Sequence, residues 1–292
     1  MVTPETRTGL TAGLAAYLLW GLLPLYLKLL TGIPAADVLA NRILWSLLLI
    51  AAIMAATRGG ARLRAVLAQP RLVLLLLASA VLIALNWLIY TWAVLNGHVL
   101  DTSLGYFINP LISIVFGVVL LHERLAPAQW LAVGLAATGV AVIAIANGAL
   151  PLISLGVALT FALYGLVRKF ASVDAITGLL VETIFLTPVA LGWLLTRPGG
   201  LFGRPPEIEL LLIAGGGLTA LPLLLFGVAT RWLKLSTIGL MQYIAPTMVF
   251  LLAVFVFGET LSTSRLLAFG LIWTGLAIYT RSLLARSPVP AA

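Results

Sequence analysis

Nine side chains stand out because their chemistry conflicts with their surroundings. Trp20, Arg42, Asn86, Tyr90, Tyr106, Asn109, Tyr164, Glu182 and Gln242 interrupt long aliphatic runs. Thr102, Tyr106, Asn109 and Ser113 recur at spacings of four, three and four, so a helix stacks them on one face. Asn86 and Tyr90 fall one turn apart, with Trp87 flanking them. Amides and phenols donate and accept hydrogen bonds, and aromatic rings offer apolar walls. Such an array suits reversible capture of a small molecule bearing amino and carboxylate groups, with its side chain against the rings. It lacks what catalysis or metal binding needs. The two histidines, His98 and His122, fall in separate loops, cysteine is absent, and no acidic cluster occurs. Neither an enzymatic activity nor a cofactor nor a metal is expected.

Arg42 and Glu182 are the charges set deepest in apolar segments. Counting 1.5 Å per residue from the segment ends puts them ~9 Å and ~12 Å deep, from opposite faces. With ~30 Å between faces they lie ~9 Å apart along the normal, so direct pairing is not assumed. One reading has Arg42 attract a carboxylate at an outer gate while Glu182 attracts an amino group or proton inside. The other has both charges satisfied structurally by carbonyls or a neighbouring Tyr.

The elements that position these groups follow from composition. Hydrophobic residues make up 62% of the 292, and charged residues only 9%, against ~25% in soluble domains. So little charge cannot clothe a water-facing surface. Apolar runs of about twenty residues match a ~30 Å hydrocarbon core crossed as helix. A membrane β-barrel would need alternation, which runs such as Leu72–Leu85 lack. The predicted class is an all-α membrane protein of ten transmembrane helices. The spans are Gly9–Leu30, Ala35–Ala56, Arg71–Val94, Thr102–Leu121, Ala128–Ala146, Leu150–Val167, Asp174–Leu195, Glu209–Thr230, Leu235–Phe257 and Ser264–Leu284. The first is too long for a signal-peptide core and counts as a span.

Charge sets the orientation. Twelve of the 17 Lys and Arg fall at one set of ends and five at the other, Arg42 among the five. The positive-inside bias then places both termini in the cytoplasm, consistent with an even number of spans. It also accounts for the net charge of +8 without a nucleic-acid partner.

A shift of 136 residues aligns the two halves. Asn109-Pro110 falls on Ala245-Pro246, Glu123 on Glu259, Leu125 on Leu261, Gly134 on Gly270, and Thr138-Gly139 on Thr274-Gly275. Trp20-Gly21 falls opposite Tyr164-Gly165 only with a deletion or two. Five helices is an odd number, so the copies, residues 9–146 and 150–284, lie inverted across the bilayer. Inverted repeats characterise alternating-access transporters whose site lies near the midplane; duplication that merely built a stable scaffold is the alternative. Pro110 and Pro246 sit in corresponding fourth and ninth spans, where a missing N–H is expected to interrupt each helix, and Gln242 takes the place equivalent to Tyr106. Glu123 and Glu259 are expected to cap the helix that follows each, and Asp37 and Asp101 read as caps at helix starts. For the polar array itself, interhelical hydrogen bonding worth ~0.6–2 kcal/mol per contact competes with a binding cavity.

A family resemblance rests on particular stretches. These are Asn41-Arg42 with Trp45-Ser46, Asn86-Trp87-Leu88-Ile89-Tyr90, Trp92-Ala93-Val94, Ser103 through Leu111, Glu123-Arg124-Leu125 and Gln129-Trp130-Leu131-Ala132. Together they resemble the RarD-type proteins, EamA-domain members of the drug/metabolite transporter superfamily. The resemblance spans essentially the whole chain. It implies ten helices in two inverted five-helix EamA repeats and residence in a bacterial inner membrane. It points to YddG-type amino-acid exporters as functionally described relatives, while RarD-type proteins are associated with chloramphenicol sensitivity. The expected activity is export of small metabolites, foremost aromatic or other apolar amino acids, by a monomer embedded in the lipid bilayer. A secondary carrier fits because no phosphate-binding Gly-x-x-x-x-Gly-Lys loop exists. A drug permease linked to chloramphenicol and a non-transporting membrane scaffold are the alternatives.

Overall fold

The computed structural model describes residues 4–121, 127–233 and 241–286. Among the described residues every regular element is helical. In chain order these are α1 (Pro4–Lys28), α2 (Ala35–Ala56), α3 (Gly60–Leu67), α4 (Pro70–Leu95), α5 (Val99–Leu121), α6 (Pro127–Asn147), α7 (Leu152–Ala171), α8 (Ala175–Leu195), α9 (Pro206–Trp232), α10 (Ile244–Leu251) and α11 (Thr263–Arg286). A π-helical turn over Leu252–Val256 extends α10.

Local chemistry sets the boundaries. Pro70 and Pro206 open α4 and α9, where an absent N–H costs nothing. Asp174 caps α8 by accepting from the Thr177 N–H at 3.0 Å. Gly97, at φ 78°, lets the chain turn between α4 and α5. Among the described residues six helices are long and apolar enough to cross a membrane: Pro4–Lys28, Ala35–Ala56, Pro70–Leu95, Pro127–Asn147, Ala175–Leu195 and Pro206–Phe226. Their outer faces bare large side chains such as Leu74, Ile145 and Val189. Hydrocarbon tolerates such a surface and water does not, so the chain is an integral membrane protein.

Three expectations need correction. The stretch between the second and third spans, expected only as a connection, contains the short helix α3. The fourth span is not interrupted, because α5 runs helically through Pro110. In the ninth, the break lies at the turn of Gln242 and Tyr243. Pro246 then falls in the first turn of α10, where its missing N–H breaks no helical bond. Residues 234–240, the start of the ninth span, lie outside the described residues.

Packing pairs helices from the two halves of the chain. α1 lies against α9 and α4 against α7, α2 is held between α8 and α9, α5 packs on α7 and α10, and α6 packs on α11. Small residues permit the closest crossings. A Cβ on Gly216 would fall 2.5 Å from the Trp45 carbonyl carbon and 2.8 Å from Ser46 N, so only glycine lets α9 touch the α2 backbone. The Ser46 hydroxyl uses that proximity, donating to Gly216 O at 3.2 Å.

Candidate functional site

Arg42 sits where α2 crosses α9, in the second turn of α2. Its residue is 2% exposed, among the largest fully buried side chains of the molecule. Nε donates to Thr219 Oγ1 at 2.9 Å and Nη1 to Thr91 Oγ1 at 3.3 Å. The guanidinium carbon lies 5.5 Å from the centre of the Trp87 ring. Tyr26, Tyr90 and Tyr106 are near enough to interact with it electrostatically. Tyr26 is anchored by donating to Leu211 O at 2.9 Å. A Cβ on Gly215 would fall 3.0 Å from Arg42 Cγ, so the glycine pair makes room for this side chain as well as for the helix crossing. Burying an arginine at a helix centre costs roughly 2.5–3.5 kcal/mol on insertion scales. A desolvated cation–π contact returns ~2 kcal/mol. Hydroxyls and an indole face therefore soften the charge without neutralising it.

Tyr106 links this group to α7. Its hydroxyl donates to Asn86 Oδ1 at 3.1 Å, and its ring lies 5.8 Å from both Tyr90 and Phe161. Asn86 is fully buried, and its amide donates to Val157 O at 2.9 Å and Thr160 Oγ1 at 3.0 Å. The amide thus ties α4 to α7 while holding the Tyr106 phenol in place. Phe161 continues the aromatic row to Tyr164, 6.0 Å away.

Glu182 forms a second polar centre among α4, α7 and α8. Ser79 Oγ donates to its Oε1 at 2.6 Å, and Arg168 Nη1 lies 3.5 Å from the same oxygen. Tyr164 lies beside the carboxylate, so the aromatic row joins the two centres. Arg42 and Glu182 do not pair with each other; Glu182 takes Arg168 as its partner. Spacing along the chain concealed that partner, because the sixth span was drawn to end at Val167 and α7 continues through Arg168 to Ala171.

The remaining expected residues lie apart from these hydrogen bonds. Trp20 packs on Tyr17 and Phe226 between α1 and α9, with ring centres 5.5 and 5.8 Å away. Asn109 is buried on α5, and Gln242 is half-buried in the turn before α10. Ser79, Thr91, Thr219 and Tyr26 were not foreseen. A hydroxyl within an apolar run carries no mark of its partner, although Gly215-Gly216-Gly217 announced a close crossing beside Thr219.

The expected caps act differently. Glu259 does not cap α11, which follows it. Its two carboxylate oxygens accept from Val99 N and Leu100 N at 2.6 and 2.9 Å, capping α5 across the fold. A carboxylate satisfies the free N–H groups of whichever helix start it can reach. Glu123 lies outside the described residues. Asp101 pairs with Arg265 at 3.2 Å and His98 at 3.1 Å, and the His98 ring stacks on Trp92. Asp37 pairs with Arg204 and accepts from Trp193 Nε1 at 2.9 Å, tying the loop before α9 to the start of α2.

Ionisable side chains enclosed by apolar helices mark substrate or ion paths, proton relays or ligand counter-ions in membrane proteins. Residues 7–145 match the EamA-like transporter family. An uncharacterized transporter of Pseudomonas aeruginosa is 48% identical over 285 residues, covering 96% of this chain and 95% of that one. Protein RarD of Escherichia coli is 45% identical over 283 residues, 96% of each. A chloramphenicol-sensitive protein RarD of P. aeruginosa is 34% identical over 92% of each chain. A solved crystal structure, 23% identical, superposes with a TM-score of 0.63 over 97% of this chain and 99% of that one, a likeness of fold. The chain belongs to the EamA-like transporter family and is a RarD-type member of it.

Proposed function

We propose that this transporter exports small metabolites across the inner membrane by alternating access, with aromatic or other apolar amino acids as cargo. The observation that carries the reading is Arg42, a fully buried guanidinium ringed by Trp87, Tyr90 and Tyr106. Isolated charges in a bundle interior mark substrate paths. Asn86, Tyr164, Glu182, Trp20, Asn109 and Gln242 complete the proposed site and its approaches. Two inverted halves, residues 9–146 and 150–284, would rock about that site as a monomer, with ten crossings and both termini cytoplasmic. The pairings of α1 with α9 and of α4 with α7 support this arrangement, because exchanging the halves converts one pairing into the other.

Counterflow in proteoliposomes tests the function. Vesicles loaded with phenylalanine, leucine or tryptophan should exchange labelled amino acid at rates that Arg42→Gln lowers at least tenfold. Chloramphenicol belongs in the same panel, because a relative 34% identical carries that sensitivity in its name. Exchange of chloramphenicol alone would favour the drug-permease reading, and exchange of nothing would favour a scaffold.

A further inference from the structure

Arg42 and Glu182 are each the eighth residue of their helices, α2 and α8. The two positions differ in one respect. Glu182 carries its own counter-charge, Arg168, 3.5 Å away. Among the described residues no carboxylate lies within 4.0 Å of Arg42. Its hydrogen bonds there end at Nε and Nη1, on the hydroxyls of Thr219 and Thr91. One centre is thus electrically closed and the other holds an uncancelled positive charge. Threonines, an indole face and phenols orient a guanidinium, and Nη2 with the second Nη1 hydrogen forms a fork that fits a carboxylate.

We propose that the cargo supplies the missing anion, so that this site selects small organic carboxylates and does not require an α-amino group. The inference rests on the export reading and narrows its substrate class. The carboxylate would take the guanidinium edge that no described residue bonds, and the apolar body would lie along Trp87, Tyr90 and Tyr106. Among the described residues none that bonds or faces Arg42 is acidic, so an ammonium group there would meet like charge and only neutral hydroxyls and ring faces. Deaminated acids therefore bind at least as well as the matching amino acids.

Binding is measured on the full chain in nanodiscs, by thermal shift and tryptophan fluorescence, with four probes of one skeleton: 3-phenylpropionate, phenylalanine, 3-phenylpropionamide and phenethylamine. The acid should bind at least as tightly as phenylalanine. It should bind about tenfold or more tightly than the amide or the amine, as loss of a charge-assisted fork implies. Arg42→Lys should keep the preference for acid over amide, and Arg42→Gln should abolish it. The discrimination within the native chain needs no variant, so a poorly folding R42Q would not blur the result. Equal binding of acid and amide, or absence of binding by the acid, would overturn the proposal. Flux is read separately in proteoliposomes. Binding of the acid without exchange would sink the export reading and leave the anion site standing, whereas equal exchange of amine, amide and acid would do the reverse.

Discussion

Gly139 of α6 and Gly275 of α11 meet each other's helices at reciprocal points. A Cβ on Gly139 would fall 3.0 Å from Ala268 O, and one on Gly275 would fall 2.8 Å from Ala132 O. Each glycine and each alanine is displaced from its counterpart by the same 136 residues. Thr138 and Thr274 repeat the relation, donating to Gly134 O and Gly270 O at 2.8 and 2.7 Å. A contact that maps onto itself when its partners are exchanged is isologous, as in a two-fold dimer. This one lies within a single chain and supports the inverted-repeat reading.

Gly139→Ala and Gly275→Ala should therefore destabilise the bundle by similar amounts, about 1–3 kcal/mol each, since neither carbonyl can retreat without moving its helix. Unfolding in mild detergent would compare them. A loss confined to one variant would contradict an equivalent pair of contacts.

Glu259→Gln should weaken the start of α5 by about 1 kcal/mol. Hydrogen exchange at the Val99 and Leu100 amides should accelerate while the first turn of α11 stays unchanged. Protection lost near Thr263 instead would place the cap where proximity along the chain had put it.

Removing one partner of the buried Glu182–Arg168 pair strands the other charge. Glu182→Leu should cost about 3–5 kcal/mol, and adding Arg168→Met should recover much of that loss. Chemical unfolding of the two singles and the double closes the cycle. Additive losses would show that the pair is not coupled.

The chain has no cysteine, so single-cysteine variants report orientation cleanly. Phe202→Cys, in the loop before α9, should react with an impermeant maleimide in intact cells. Ala61→Cys, exposed on α3, should react only after permeabilisation. The reversed pattern would invert the topology read from the Lys and Arg distribution.

How much of this was legible varies with the range of the interaction. Helix α2 begins and ends where its apolar run does, Ala35–Ala56, because burial of a continuous run needs no distant partner. Helix α3 was missed because Gly60–Leu67 carries arginines at 62 and 64 and reads as a charged connection. Arg42 and Glu182 declared themselves as charges within apolar spans, whereas Thr219 looks like any hydroxyl until α9 crosses α2. Asn86 shows the limit from the other side. Its polarity marked it as a candidate, but nothing along the chain named the three helices its amide joins. Glu259 was assigned to its nearest helix, yet its partners lie 159 and 160 positions away. Separation along the chain, rather than residue type, divides what could be read from what could not.

The Arg42–Thr219 bond also spans 177 positions. At synthesis rates of roughly 5–20 residues per second, Thr219 emerges about 9–35 s after Arg42. Thr91 arrives sooner, 49 positions on. During that interval α2 carries an arginine whose mature surroundings do not yet exist. The final surroundings of Arg42 are thus completed only when a helix from the far half of the chain arrives, although Thr91 and Trp87 reach it earlier.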